Sequence, residues 1–237
     1  MSLDIKLKNQ ILANGADLVD FGDLTELPPE VRRGLPVGAA IAVKYPKAVI
    51  RGIRDLPTAA YYEQYKLLND KLDALAEAGA ELLREAGFAA VAQTRAYVEQ
   101  FETDFSTLLP HKTVATRAGL GWIGKCALLI TPRYGSMVRI TSILTDAPLK
   151  AAQPANTSRC GDCTACAEAC PAGAVSGKLW SAGLARKEFF DAAACRKTAR
   201  ERAMRGFGEE VTQCGKCIEV CPWTRRYLDE LVTPVSD

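Results

Sequence analysis

The chain has 237 residues, 48% of them hydrophobic and 24% charged, with a formal net charge of +2. So even a balance gives no broad attraction for nucleic acid or an anionic membrane, and no apolar run approaches the ~20 residues of a bilayer span. Nine cysteines, behind a polar, amphipathic stretch at 1–15 rather than a signal peptide, lead us to expect a reducing cytoplasm with limited oxygen and thiols that bind metal.

Residues 3–15 read as an amphipathic helix with Ile5, Leu7, Ile11 and Leu12 on its apolar face, ended by Asn14-Gly15. Residues 16–21 read as a short strand, and Pro28-Pro29 and Gly34 mark a loop containing one helical turn. Val37–Tyr45 is a run of small and β-branched residues, a buried strand that Pro46 ends; 46–56 then reads as a loop. Pro57-Thr58 opens the longest helix, to about Ala86, with apolar residues at Tyr61, Tyr65, Leu68, Leu72, Leu75, Ala78 and Leu82. Tyr61, Tyr62 and Tyr65 are assigned to the core. Gly79 within this helix costs about 1 kcal/mol relative to alanine and is read as a point of close packing. Phe88–Gln93 is a second core strand, 94–110 is irregular, and 111–118 is a short helix. Ala127–Thr131 and Met137–Thr145 read as strands joined in a hairpin by Pro132-Arg-Tyr-Gly135, and 146–158 as a linker. The alternation predicts an α/β (α+β) layer domain at 1–157, with a sheet of about four to five strands covered by the 58–86 helix. A cluster module at 158–237 packs against it.

Gly119, Gly121 and Gly124 spell G-x-G-x-x-G. A dinucleotide fingerprint follows a strand and opens a helix; this stretch follows a helix and precedes a strand, so that reading is set aside. Two readings stay open: glycine amides beside Lys125 that suit a phosphate, or a tight turn packing Trp122 against the core.

The last third carries the chemistry. Cys160, Cys163, Cys166 and Cys170-Pro171 form C-x2-C-x2-C-x3-C-P, and Cys214, Cys217 and Cys221-Pro222 repeat it with Val211 where a first cysteine would stand. Zinc sites favour separated C-x2-C pairs, whereas this run is that of two-cluster ferredoxins, whose fourth cysteine crosses to the other cluster. One 4Fe–4S cluster would take Cys160, Cys163, Cys166 and Cys221, the other Cys170, Cys195, Cys214 and Cys217. Cys195 takes the place of the missing cysteine; its rival is Cys126, otherwise read as a buried small hydrophobe or a reactive thiol.

AGLGWIGK (Ala118–Lys125), LLITPRYGS (Leu128–Ser136), ILTDAPL (Ile143–Leu149) and the cysteine runs ending CPW (Cys221–Trp223) together resemble epoxyqueuosine reductase and its iron–sulfur and cobalamin relatives, including reductive dehalogenases. The resemblance covers roughly 58–226 and is closest to short, double-cluster forms. It implies a nitroreductase-like, cobalamin-binding-type layer domain followed by a bacterial ferredoxin-like double-cluster module, with the same cysteine pairing. It also implies a corrinoid site lined by Ala118, Gly119, Leu120, Gly121, Trp122, Ile123, Gly124 and Lys125, with Lys112 beside it. The sequence departs from the family at three points. It ends at Asp237, without the helical-repeat extension of the tRNA-modifying enzyme. Phe105 stands at the catalytic aspartate's position, with Asp104 next to it. Pro110-His111-Lys112 replaces the family's Leu-Glu-Arg. On these grounds tRNA is not the expected substrate.

His111, the single histidine, is a candidate axial cobalt ligand or near-neutral proton donor; Asp104 and Tyr134 are further acid candidates. The basic stretch 186–205 reads as a solvated helix that offsets the negative cluster nearby, or as a docking patch for an acidic electron donor or an RNA backbone. The functional expectation is an oxidoreductase taking electrons from ferredoxin or flavodoxin through two 4Fe–4S clusters to cobalamin, or alternatively FMN, and on to a small-molecule substrate. The other reading is an electron-transfer protein that reactivates a partner's corrinoid or flavin.

Overall fold

The computed structural model describes residues 1–230. Four strands build the main sheet: β1 (Leu18–Asp23), β2 (Val37–Lys44), β3 (Ala90–Ala92) and β6 (Val138–Thr145), in the order β1-β2-β6-β3 with every neighbour antiparallel. β2 is buried through its middle, and its alternate residues feed two cores. Ala39, Ile41 and Val43 face helices α1 (Leu3–Ala13) and α3 (Ala59–Glu85), while Ala40 and Ala42 face α4 (His111–Arg117). Small side chains suit a strand enclosed on both faces, where helices approach closely.

α3 is set by its three- and four-residue apolar spacing and by Thr58, whose hydroxyl accepts a hydrogen bond from Tyr61 N–H at 3.2 Å. Gly79 faces the sheet: a Cβ there would lie 2.6 Å from Ile143 Cδ1 and 3.1 Å from Ile11 Cδ1. Its propensity cost is offset by close α1–α3–sheet packing, as its position in the helix suggested.

Two expectations need correction. Residues 46–56 are not a plain loop: α2 (Lys47–Arg51) begins directly after Pro46 and buries Ile50. At five residues it is too short to show a periodic pattern. Pro132–Gly135 does turn the chain, but the strands it joins do not form a hairpin with each other. β5 (Leu129–Ile130) pairs back with β4 (Trp122–Ile123), while β6 leaves to fill the place between β2 and β3. The glycine stretch thus contains a strand rather than merely preceding one.

The cysteine module is made of short helices: α5 (Ala165–Glu168), α6 (Ala192–Phe207), α7 (Lys216–Glu219) and α8 (Pro222–Asp229). Its junction with the layer unit is tight. Gly135 has φ +58, and a Cβ there would fall 2.3 Å from Thr224 N. Ser136 N–H donates to the fully buried Thr224 Oγ1 at 3.1 Å. Only glycine meets both the left-handed backbone and this approach. Beside it, the buried carboxylate of Glu219 is paired by Lys216 at 3.0 Å and by Arg225.

Candidate functional site

The two cysteine runs turn through α5 and α7, which lie against each other. Their sulfurs divide between two cavities. A small one, about 70 Å³, is lined by Cys160, Cys163, Cys166 and Cys221, together with Cys126 and Cys217. Cys170, Cys195, Cys214 and Cys217 instead stand on the wall of a large cavity of about 1200 Å³. Among the described residues, no three His, Cys, Asp or Glu side chains are arranged to hold a single metal ion; a four-iron cluster spreads its four thiolates over four irons. Cys195, in the first turn of α6, has Cys170 and Cys214 as its electrostatic neighbours, and burial pushes its thiol up to about 11. Thiols held this way release protons when they take metal.

Donor set and surroundings both fit 4Fe–4S clusters. Four thiols of each predicted set line one cavity, and apolar side chains pack beside those of the smaller one. Trp122, 1% exposed, belongs to the same apolar cluster as Cys160, Cys166 and Cys221, and its indole N–H has no partner among the described residues. A cluster sulfur is an acceptor of the kind that buried donor requires.

The large cavity exceeds the ~300–1,000 Å³ usual for small-ligand pockets, which suits a bulky cofactor. Residues far apart in sequence build it. Tyr45, Tyr61, Tyr62 and Tyr65 line one side, so the tyrosines assigned to the core also face the cavity. Burial pushes Tyr45 up to about 12 and Tyr61 well above its usual value, so both present neutral hydroxyls. Phe105, Trp180 and Phe189 come from loops, and cations from Lys112, Arg139, Arg186 and Arg196. The sequence signal for this wall was the i, i+4 pair Tyr61 and Tyr65 near the start of α3. Arg139 carries no local signal: it reaches the wall from β6, stacked on Tyr65 at 4.5 Å and held by Asn69 Oδ1 at 3.0 Å.

His111 and Lys112 open α4 and both line the large cavity. His111 Nδ1 shares a 3.0 Å hydrogen bond with Ser142 Oγ on β6. Burial, then the nearby Arg139 charge, push it down to about 4 against a weaker pull from Asp73, so it is neutral near pH 7. That corrects its expected role as a near-neutral proton donor and leaves a neutral imidazole. Lys112 donates from Nζ to Ala127 O at 2.8 Å, and burial with Arg186 nearby pushes it down to about 8.

The remaining site expectations divide by position. Of Ala118–Lys125, only Ile123 is on the large cavity's wall; Gly124 and Lys125 line the small cysteine cavity. Ala118, Gly119, Leu120, Gly121 and Trp122 line neither. The physical reason is packing. A Cβ at Gly121 would sit 2.1 Å from Ile130 O across the β4–β5 pair, and Trp122 lies edge-on to Trp223 with centroids 4.9 Å apart. Of the two readings left open, the turn that packs Trp122 is the one the geometry carries. Tyr134 is 5% exposed and edge-on to Tyr227, away from the cavity wall. Asp104 is exposed and outside the wall; hydrogen bonds from the Ser106 hydroxyl, and then from Ser106 N–H at 3.0 Å, hold its carboxylate below the usual range. Neither is placed to act as an acid there.

The basic stretch is largely engaged within the protein. Arg186 donates to the carbonyls of Asp104 and Phe105, and Arg196 stacks on Phe105 at 4.6 Å. Arg200 pairs with Glu210, and Arg202 donates to Asp55 O. These contacts hold the 101–107 loop and the α2–α3 connection to the cysteine module, which supports the structural reading over a docking patch. Among the described residues, no helix is long and apolar enough to cross a membrane.

Residues 159–224 match the family described as the 4Fe-4S double cluster binding domain. The epoxyqueuosine reductase of Synechococcus sp. (strain CC9605) is 37% identical over 129 residues, covering 54% of this chain and 40% of that protein. The chain spans less than half the length of the curated relatives it matches. By fold it is similar to a reductive dehalogenase whose structure suggests a mechanism for B12-dependent dehalogenation, with TM-score 0.71 and 18% identity, covering 92% of this chain and 31% of that one. It is also similar to an epoxyqueuosine reductase solved with an epoxyqueuosine-modified tRNA-Tyr stem loop, with TM-score 0.61 and 20% identity, covering 94% of this chain and 65% of that one. At these identities the structural likeness is one of fold. The chain is thus similar to epoxyqueuosine reductases in sequence and in fold, and its residues 159–224 match a 4Fe–4S double-cluster binding domain.

Proposed function

We propose that this chain is an iron–sulfur oxidoreductase whose large cavity holds a corrinoid next to one of two 4Fe–4S clusters, for reduction of a bound substrate. The carrying observation is that Cys170, Cys195, Cys214 and Cys217 stand on the wall of the same cavity as His111 and Lys112. Cys160, Cys163, Cys166 and Cys221, which line the small cavity, would hold the second cluster. When bound, the clusters supply one-electron transfer and the corrinoid supplies reducing power at its metal.

The chain's own residues do the rest. The tyrosines and Phe105 give the cavity an aromatic wall. His111, neutral and oriented by Ser142, offers an imidazole nitrogen as a ligand or hydrogen-bond partner. Lys112, near 8, is protonated at neutral pH yet close enough to its pKa to give a proton up, so it takes the acid role expected of Asp104 or Tyr134. Arg139, Arg186 and Arg196 favour an anionic or oxygen-rich ligand. The relative solved with a modified tRNA stem loop makes tRNA a candidate substrate by similarity. Ferredoxin or flavodoxin is the proposed class of electron donor.

The test is anaerobic purification and cluster reconstitution, followed by titration with cobalamin and separately with FMN, read by absorbance. Micromolar binding of cobalamin over FMN is expected. Binding of FMN alone would move the reading to a flavoenzyme; binding of neither would remove the cofactor from the cavity.

A further inference from the structure

The protein surface over the small cysteine cavity is cationic. Trp223, partly exposed, lines this cavity beside Cys160, Cys163 and Pro222. Three exposed arginines are connected through it. Arg226 lies over the Trp223 ring at 4.6 Å and donates to Pro132 O, which brings it beside Arg133. Trp223 meets the buried Trp122 edge-on, and Arg159, the residue before Cys160, lies over Trp122 at 5.5 Å. Among the described residues, none of these arginines pairs with a carboxylate. The carboxylates of the first cysteine loop are Asp162 and Glu168, and Glu168 accepts from Thr164 Oγ1 at 2.6 Å. The whole chain carries only +2, so this excess is local.

Centres that pass single electrons need a one-electron reductant from outside the chain. A patch of one sign steers and orients a partner of the other, and tryptophan and arginine are the residues that most often anchor protein interfaces. Four thiols lie beneath these arginines, which favours a redox protein over an RNA backbone, since RNA needs cations but no centre behind them. We propose that the Arg133–Arg159–Arg226 face docks a small acidic one-electron carrier protein, and that electrons enter at the Cys160, Cys163, Cys166 and Cys221 set rather than across α6. The inference rests on the two-cluster reading above. The carrier is oxidised by one electron and the centre behind Trp223 is reduced by that electron. With a flavodoxin, the anionic flavin hydroquinone becomes the neutral one-electron-oxidised flavin, and no proton moves.

The test mixes the anaerobically reconstituted protein with an acidic flavodoxin. Binding of the oxidised flavodoxin is read by calorimetry, and transfer from its hydroquinone by the stopped-flow rise of the one-electron-oxidised flavin. Arg133→Gln, Arg159→Gln and Arg226→Gln combined should weaken binding and slow bimolecular transfer about tenfold at low salt. The difference should be largest at an ionic strength of about 0.01 M, where charges act over ~30 Å, and should vanish near about 1 M. Reduction by the methyl viologen radical, a cation, should not slow. Arg133 stacks on Tyr134 at 5.3 Å from an exposed turn, so Arg133→Glu alone carries the same test if the triple variant does not accumulate. Lys197→Gln with Arg205→Gln, on α6, should change neither readout. Equal binding and rates in wild type and the arginine variants overturn the proposal, as does a loss confined to the α6 variant. So does a wild type that viologen reduces but flavodoxin neither binds nor reduces. Added tRNA should not slow transfer; slowing that the arginine substitutions relieve would assign the face to RNA instead. A wild-type protein that assembles no clusters would remove the parent reading, and this one with it.

Discussion

Acidification should destabilise the protein through His111, and the size of the effect follows from its burial. The unfolded chain binds this proton with a pKa near 6.5, the folded chain only near 4. Unfolding therefore takes up a proton in the window between. The contribution is intact above about pH 6.5 and is lost as pH falls toward 4. Going from about pH 7.5 to about pH 5 removes about 2 kcal/mol from this group alone. Urea unfolding of wild type and His111→Asn at both pH values isolates it, since asparagine can still meet Ser142 but does not titrate. The variant's stability should fall by about 2 kcal/mol less than that of the wild type. Identical losses in the two proteins would show that His111 is not held neutral, and the argument for a neutral imidazole in the cavity would go with it.

Other predictions concern the scaffold. Gly121→Ala pushes a Cβ into Ile130 O, at 2.1 Å, and should cost about 3 kcal/mol, seen as a lower thermal midpoint. Glu219→Ala removes the buried carboxylate shared by the partly exposed Lys216 and Arg225 and should cost about 1 kcal/mol by denaturant titration. Gly79→Ala gains about 1 kcal/mol of helix propensity against a 2.6 Å contact with the movable Ile143 Cδ1, so its stability should stay within about 1 kcal/mol of wild type; a larger loss would show a core that cannot yield there.

Local patterns were legible in the sequence; non-local ones were not. α3 was readable because 27 residues repeat one face, and β2 because its whole length is small and apolar. The cysteine runs were readable because ligand spacing is itself the signal. The partner of β5 was not: Leu129–Ile130 could pair forward across Pro132–Gly135 or back onto Trp122–Ile123, and the choice depends on β2 claiming β6. The glycines illustrate the same limit. G-x-G-x-x-G suggested backbone near a ligand, yet Gly121 is small because Ile130 O needs the space. The cavity wall draws on α3, α4, β6 and the cysteine loops at once, so Arg139 and the aromatic residues of the 180–190 loop carried no sign of it.

The central claim is that the large cavity is bounded by a cluster whose ligands include Cys195. Iron content and EPR of the anaerobically purified protein, compared between wild type and Cys195→Ala, test it most directly. The account predicts about eight irons falling to about four, with the signal of one cluster lost and the other kept. A Cys195→Ala protein that still holds about eight irons and both signals would contradict it.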